Sequence, residues 1–339
     1  MAWQGIEGHD AVVRAFVAAA ARGRVAGAYL FVGPPGVGKS SFARRLAKAL
    51  ACPACGPELV PCGRCASCAQ AEAGSHPDIE VIAKPEDRAT IPLDALIGDA
   101  AHRMREGLCW RMLLRPALAA RKVAIILDAD ALSVEGANCL LKLLEEPPEG
   151  AVFILVGTAL ERQLPTIRSR CQIVRFSALD AATVRRVLAA EPLPTADPAD
   201  EAALAAAAAA SGGSLARARL LLDADLAAFR GRLVGLLAGR PLRGVELARE
   251  TLAVVEAAGK EAPQRRARLR MVLETALDCF RDSLRRAAAS GDASATEEVV
   301  VRMQVTLDTL AAIDRNANLS VLVDAWTALL EEPRLRAAI

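Results

Sequence analysis

Long uncharged apolar runs are missing from this sequence of 339 residues, although 53% of its residues are hydrophobic. None of the runs approaches the roughly 20 consecutive apolar residues that a membrane-spanning helix needs. The opening segment, MAWQGIEGHD, also lacks the basic-then-apolar pattern of a secretory signal. We therefore expect a soluble, cytoplasmic protein with no membrane partner.

A strong excess of charge of either sign is also absent. The sequence holds 42 Lys and Arg residues against 40 Asp and Glu, which gives a formal net charge of +2. A protein that binds nucleic acid on its own usually carries a pronounced positive field. Any contact with DNA is therefore expected to be local or shared with partner proteins.

Short apolar runs alternate with helical stretches in the first half of the chain. Such runs predict strands of a largely parallel sheet whose two faces are covered by helices, which is a doubly wound α/β architecture. The predicted strands are 28–32, 79–83, 122–127, 151–157 and 172–176. Everything after Phe176 predicts helices, including the alanine-rich tract at 202–210.

The length of the chain exceeds what one hydrophobic core usually supports, so two or three domains are expected. We predict an α/β domain at 1–178, a small helical lid domain at 179–226 and an all-helical C-terminal domain at 227–339. The Gly212-Gly213-Ser214 turn and the helix that follows it are assigned to the lid. No internal repeat is present.

Residues 33–40 read GPPGVGKS and fit the pattern G-x-x-x-x-G-K-[ST], directly after a predicted strand and at the start of a helix. In such a P-loop, glycines let backbone N–H groups face the phosphates, Lys39 reaches the β- and γ-phosphates, and the Ser40 hydroxyl can bind Mg²⁺. The motif predicts binding of ATP or ADP with Mg²⁺. The candidate nucleotide-binding residues are Gly33, Pro34, Pro35, Gly36, Val37, Gly38, Lys39, Ser40 and Ser41.

The acidic residues that hydrolysis requires are incomplete. An active ATPase of this type presents adjacent Asp and Glu residues at a strand end, to hold Mg²⁺ and to activate the attacking water. Here the strand ends in Leu127-Asp128-Ala129-Asp130, so only Asp128 is in place. Whether Asp130 compensates depends on the turn geometry. We therefore predict nucleotide binding with weak or no hydrolysis.

Five of the nine cysteines crowd into a short segment rich in glycine and proline. The last three have the spacing Cys-x2-Cys-x2-Cys, and with the cysteines before them they predict a structural Zn²⁺ site with four thiolate ligands. The alternative is that these cysteines are reduced and bind no metal. The residues alone leave five candidates for four places, namely Cys52, Cys55, Cys62, Cys65 and Cys68. His76 and His102 have no ligand spacing, and we expect them to be surface or capping residues.

A further motif, Ser169-Arg170-Cys171, precedes the last predicted strand. Together with GPPGVGKS, the cysteine run, Ser75-His76-Pro77-Asp78 and the segment 138–148, it closely resembles the clamp-loader subunits of bacterial DNA polymerase III, which are AAA+ proteins. The matching motifs span about residues 30–176. The resemblance implies an AAA+ domain, a helical lid and a C-terminal collar that joins subunits.

Within that family, the incomplete acidic pair resembles the delta-prime subunits more than the tau/gamma ATPase subunits. The resemblance implies that Arg170 acts in trans as an arginine finger on ATP bound by a neighbouring subunit, a role that suits a planar, permanently charged guanidinium. Thr158 would be the first sensor. Alanine stands at Ala216, where the family places the second-sensor arginine, and Arg217 lies about 100° further around the helix.

The resemblance also implies the zinc ligands and the partners. The family's ligands match Cys52, Cys62, Cys65 and Cys68, which leaves out Cys55. The implied partners are tau/gamma and delta subunits in a hetero-oligomeric ring of the polymerase holoenzyme, with the sliding clamp and primed DNA reached through that complex. Two alternatives stay open. One is a tau/gamma-like motor ATPase in which Asp128 and Asp130 share the acidic role, and the other is an AAA+ scaffold or DNA-binding regulator outside replication.

Overall fold

The computed structural model describes residues 3–85, 88–103, 105–191, 201–239, 241–259, 261–313 and 317–332. The chain divides into two compact units, Met1–Arg219 and Leu220–Ile339. The described residues of the predicted lid divide between the two units, because 220–226 belong to the second, and residues 192–200 lie outside the described residues. The division into three domains therefore stays a prediction.

The first unit alternates strands and helices, as the sequence predicts. Its strands are β1 (Ala28–Val32), β2 (Ile79–Ile82), β3 (Lys122–Ile126), β4 (Ala151–Val156) and β5 (Gln172–Arg175). Its helices are α1 (Asp10–Ala21), α2 (Lys39–Ala51), α3 (Ala66–Glu72), α4 (Leu93–Ile97), α5 (Gly107–Leu113), α6 (Val134–Glu145), α7 (Pro165–Arg168), α8 (Ala181–Ala189) and α9 (Glu201–Ala210). A tenth helix, α10 (Leu215–Leu221), begins in this unit and ends two residues into the second.

The five strands form one parallel sheet in the order β2-β3-β4-β1-β5. Every residue of β1, β3 and β4 is buried, whereas the edge strands β2 and β5 are partly accessible. The central strands are apolar throughout because helices cover both faces of the sheet. The predicted parallel α/β architecture is therefore confirmed.

Alternating side chains of the sheet supply two separate cores. On one face, Tyr29 and Phe31 pack with Phe42 of α2 and with the rings of Phe16 and Phe176. On the other face, β1 and β3 contribute to a core shared with α4, α5 and α6. Each fully buried large side chain stabilises the fold by about 1.5–3 kcal/mol. The packing of Phe42 fixes the start of α2 beside the carboxyl end of β1.

The second unit consists of helices in the described residues. They are α11 (Ala224–Ala238), α12 (Gly244–Ala257), α13 (Ala262–Ser290), α14 (Ala293–Ile313) and α15 (Leu319–Glu331). Their core is centred on Trp326, which is fully buried and donates its indole N–H to the Thr306 hydroxyl at 3.0 Å. As predicted, the described residues after Phe176 form no strand. Among the described helices, none combines the length and the apolar character needed to cross a membrane.

Candidate nucleotide-binding site and cysteine centre

The predicted P-loop connects β1 to α2 at the carboxyl end of the sheet. Six consecutive backbone N–H groups, from Gly36 to Ser41, make no hydrogen bond to any other described group, and the first helical bond of α2 runs from the Phe42 N–H to the Gly38 carbonyl. Gly36 and Gly38 have φ values of 75° and 99°, which favour glycine. A run of unpaired N–H groups at a helix N-terminus can bind an anion such as a phosphate.

The Lys39 side chain turns back over this loop and is buried. Its Nζ donates to the carbonyl oxygens of Gly33 and Pro34, each at 2.6 Å. Burial lowers the pKa of Lys39 below its ordinary value, and the Asp130 carboxylate partly offsets that shift. The loop thus holds an ammonium group beside its unpaired N–H groups.

Asp130 lies where β3, β4 and the P-loop meet. Its carboxylate accepts the backbone N–H of Thr158 at 2.9 Å and also accepts the Thr158 hydroxyl and the Gln163 side-chain amide. A side chain at Gly157 would collide with the Asp130 and Gln163 groups. The Thr158 carbonyl in turn accepts the N–H of Gly33 at 3.1 Å, which ties the network to the start of the P-loop. Sequence reasoning missed Gln163, since nothing in its local motif marks it.

Asp128, the acid predicted to hold Mg²⁺, has a different environment. It is exposed, adopts a left-handed backbone with φ 53°, and makes no side-chain hydrogen bond to another described residue. Leu127 packs into the core on the same face of the sheet as α2. The structure therefore brings Asp130, rather than Asp128, together with Thr158 near the P-loop. The assignment of Asp128 to Mg²⁺ stays a prediction.

The start of α10 contacts the P-loop directly. The Gly36 carbonyl accepts the N–H of Leu215 at 2.9 Å and that of Ala216 at 3.4 Å. A Cβ atom on Gly36 would come within 2.8 Å of the Ala216 Cβ. The residue at the second-sensor position thus lies against the loop but carries only a methyl group. Arg217, one residue later, is half-buried.

The cysteines predicted as zinc ligands converge on one point. The Sγ atoms of Cys52, Cys62, Cys65 and Cys68 all lie within 4.8 Å of one another, with Cys52 3.7 Å from Cys62 and 4.0 Å from Cys65. Tetrahedral Zn²⁺ with Zn–S bonds of about 2.3 Å holds its sulfurs about 3.8 Å apart, so this donor set fits the ion. Backbone hydrogen bonds from Arg64 and Cys65 lower the pKa of Cys62 to about 6.

Cys55 stands outside this group. Its thiol donates to the Gly56 carbonyl at 3.5 Å. Burial raises its pKa to about 11, with a further contribution from the charges of Cys52 and Cys62. Its sulfur is not among the four that lie within 4.8 Å of one another. The geometry therefore groups the same four cysteines that the family resemblance selects.

His76 was expected to be a surface or capping residue, and its burial contradicts the surface half of that expectation. Its Nδ1 accepts the N–H of Asp78 at 3.0 Å, so in the neutral ring Nε2 carries the proton and donates to the Ser67 hydroxyl at 2.8 Å. Ser67 donates onward to the Ala51 carbonyl at 2.9 Å. This chain of bonds joins the residues beside Cys52 and Cys68. His102 is exposed and bonded to Asp99, as a surface residue should be.

Arg170 follows α7 and is half-buried. Its Nε donates to the Glu145 carboxylate at 3.0 Å, and its Nη1 donates to the Thr166 carbonyl at 3.1 Å and the Ser169 hydroxyl at 3.2 Å. Glu145 is largely exposed, and ion pairs of that kind contribute only about 0–1 kcal/mol. The guanidinium can therefore exchange this carboxylate for another anion at little cost.

A family model described as "DNA polymerase III, delta subunit" matches residues 8–180. The DNA polymerase III subunit gamma/tau of Mycobacterium tuberculosis is 34% identical over 259 residues, which cover 75% of this chain and 43% of that protein. The DNA polymerase III subunit delta' of Pseudomonas aeruginosa is 34% identical over 215 residues, which cover 63% of this chain and 61% of that protein. The matched region thus spans less than two thirds of each relative.

Among solved structures, a DNA polymerase III gamma subunit-related protein from Thermotoga maritima aligns with 94% of this chain and 98% of its own, at 18% identity and a TM-score of 0.42.

The family model covers about half of the chain, and the P-loop, the four clustered cysteines and Arg170 all lie inside the matched residues. The chain therefore belongs to the clamp-loader subunits of DNA polymerase III.

Proposed function

We propose that this chain is a delta-prime-type subunit of the clamp loader, which holds a nucleotide without hydrolysing it efficiently. The main support for this proposal is that the phosphate cradle is complete, whereas the acidic residues that hydrolysis needs are incomplete. Six unpaired N–H groups and Lys39 form the cradle, whereas Leu127 packs into the core and Asp128 is exposed. A P-loop of this kind binds phosphates, but hydrolysis also needs acids that hold Mg²⁺ and orient water.

The bound ligand in this proposal is ATP or ADP with Mg²⁺. The N–H groups from Gly36 to Ser41 and the Lys39 ammonium would hold the phosphates, and the Ser40 hydroxyl would contribute to Mg²⁺. Asp128 stays the candidate second oxygen donor from sequence, although Asp130 lies closer to Thr158. The methyl group of Ala216 offers no charge to a γ-phosphate, which supports a role in binding rather than in hydrolysis.

Arg170 supplies the chemistry of the subunit in this proposal. In the ring it would act on ATP held by a neighbouring tau/gamma subunit, where a guanidinium can neutralise charge that develops on the phosphoryl oxygens. Its weak, exposed pairing with Glu145 supports such a transfer, since the carboxylate is easily replaced. Thr158 would sense the nucleotide of this chain itself.

The remaining parts have structural roles in the proposal. Zn²⁺ bound by Cys52, Cys62, Cys65 and Cys68 would stabilise the loop between α2 and α3, which has few apolar residues of its own. The helices from α11 to α15 would form the collar that joins this subunit to tau/gamma and delta. The assembled loader would place the sliding clamp on primed DNA, in the cytoplasm, as part of the polymerase holoenzyme.

A tau/gamma-like motor ATPase is the second candidate, and one observation favours it. The Asp130 carboxylate is close enough to Lys39 and Thr158 to act on the same phosphate site. Identity with curated relatives does not separate the two candidates, since a gamma/tau subunit and a delta' subunit both reach 34%.

A reconstituted loader separates them. ATP turnover with clamp and primed DNA is measured for the unmodified chain, for Arg170→Ala, for Lys39→Ala and for Arg168→Ala, which changes an exposed arginine of the same helix end as a control. If the chain is a delta-prime-type subunit, we expect Arg170→Ala to lower ATP turnover by at least about tenfold, and we expect Lys39→Ala and Arg168→Ala to change it little. A comparable loss for Lys39→Ala supports the motor instead, and full activity of Arg170→Ala contradicts the arginine-finger role.

A further inference from the structure

A side chain from the beginning of the chain holds the P-loop from outside. His9, directly before α1, is 5% exposed, and its Nε2 lies 2.8 Å from the carbonyl oxygen of Val37. Because a carbonyl only accepts, Nε2 carries a proton and donates it. The imidazole also meets the ring of Phe176 edge to face, with ring centroids 4.9 Å apart. The orientation of His9 is therefore fixed from two sides.

This contact sets the direction of one N–H group of the cradle. In a planar trans peptide, the C=O of one residue and the N–H of the next point in opposite directions. By holding the Val37 carbonyl, His9 keeps the Gly38 N–H on the opposite side of the loop, where it has no partner among the described groups. Gly38 itself restrains this peptide weakly, because glycine has wide conformational freedom.

The preceding peptide is held in the same way. The Gly36 carbonyl accepts N–H groups of Leu215 and Ala216 at the start of α10, which directs the Val37 N–H away from that helix. Two successive carbonyls of the P-loop are thus satisfied by groups from outside the loop. Of these groups, only the His9 imidazole is a side chain, so it alone can be removed by a single substitution without altering backbone.

We infer that His9 is a positioning residue for phosphate binding, which acts through the Val37–Gly38 peptide and does not touch the nucleotide. The inference rests on the proposed function of the P-loop as a nucleotide site. Because the Gly38 N–H belongs to the phosphate cradle, we expect His9 to affect the affinity for the phosphate part of a ligand, whether or not the ligand carries a base.

The test compares two substitutions in the full chain. His9→Gln keeps an N–H donor of similar reach, whereas His9→Phe keeps a ring against Phe176 but has no donor. Calorimetric titration measures the Kd for Mg·ATP and for inorganic tripolyphosphate, a probe without a base. Loss of one hydrogen bond is expected to weaken both ligands by about 3- to 10-fold in His9→Phe. His9→Gln is expected to stay within about twofold of the unmodified chain, and thermal unfolding checks that both variants are folded.

Other results overturn the inference. Unchanged affinities in a folded His9→Phe variant mean that the Val37 contact does not position the cradle. Weaker ATP binding with unchanged tripolyphosphate binding places His9 at the base. Equal losses in His9→Gln and His9→Phe show that the donor is not what matters. An unmodified chain that binds neither ligand overturns the proposed nucleotide site itself, which the other outcomes leave intact.

Discussion

Asp130 accepts both the backbone N–H and the hydroxyl of Thr158, so an acid two residues beyond the expected position is fixed to the tip of the neighbouring strand. The same carboxylate accepts the Gln163 amide, and Gly157 leaves the space that this network needs. This acid, whose charge acts on Lys39, is therefore committed to structural hydrogen bonds. That arrangement agrees with a nucleotide site in which hydrolysis is weak.

Replacing Asp130 should destabilise the first unit, whereas replacing Asp128 should not. In Asp130→Asn one of the two accepting oxygens becomes an NH2 donor, so the side chain can no longer accept all the bonds that Thr158 and Gln163 donate, and we expect a loss of about 1–3 kcal/mol in the free energy of unfolding. Asp128→Asn is the matched control, because asparagine also tolerates the left-handed backbone and no bond is lost. Thermal unfolding of the two variants checks the difference. Equal melting temperatures would show that the Asp130 network contributes little.

The four clustered cysteines should hold one Zn²⁺ ion per chain. Cys62→Ser removes a ligand and is expected to abolish stoichiometric zinc, while Cys55→Ser is expected to keep it because Cys55 bonds to Gly56 instead. Elemental analysis of protein purified without added chelator measures the content. Loss of zinc in Cys55→Ser, or its absence from the unmodified chain, would contradict the assignment of the ligands.

Asp78 should make the free energy of unfolding depend on pH in the acidic range. Its buried carboxylate accepts the N–H groups of Ala117, Leu118 and Ala119 at 2.7–2.8 Å. Burial raises the pKa of Asp78, but these bonds outweigh that effect and lower it overall. The carboxylate therefore contributes stability above its unfolded pKa of about 3.9, and this is lost as the pH falls through the lower folded value.

The Asp78→Asn variant tests this directly. We expect it to lose about 2–4 kcal/mol at pH 7, because charge-assisted bonds are replaced by weaker ones, and we expect the difference from the unmodified chain to shrink as the pH falls towards 3. Urea unfolding at the two pH values measures both differences. A stability gap that is the same at pH 3 and pH 7 would show that the ionised carboxylate is not the cause.

A methyl group on Gly36 should disturb the contact between the P-loop and α10. Its φ of 75° disfavours alanine, and the added Cβ would collide with Ser214 and Ala216. We expect Gly36→Ala to weaken ATP binding by at least about tenfold, since strain of about 1–3 kcal/mol falls on the cradle. Gly56→Ala is the control, because a Cβ there meets nothing within 4 Å. Similar Kd values for the two variants would contradict a tight contact at Gly36.

The sequence was sufficient to predict the parts of the fold that depend on local pattern. Continuous apolar runs predicted the buried strands, and the P-loop pattern predicted a helix start within 33–40, where α2 begins at Lys39. The four cysteines were selected by family resemblance, because spacing alone left Cys55 in competition. Its bond to Gly56 is a matter of loop geometry that spacing does not encode.

Contacts between distant segments could not be predicted from the sequence. His76 was expected to be a surface or capping residue, but burial between α2, α3 and β2 gives both of its ring nitrogens partners. Asp130 depends on the turn after β3 and on Gln163, which lies 33 positions further along the chain. Such contacts are set by how the strands and helices pack, so no single motif reveals them.

The most direct measurement follows ATP binding and ATP turnover in the same preparation of the isolated chain. Equilibrium titration gives the Kd for Mg·ATP, and phosphate release gives the rate, with Lys39→Ala as the control that should lose binding. We expect saturable binding with a turnover no greater than that of Lys39→Ala. Turnover at the rate of a tau/gamma subunit, abolished by Lys39→Ala, would contradict the claim that this P-loop holds a nucleotide without hydrolysing it.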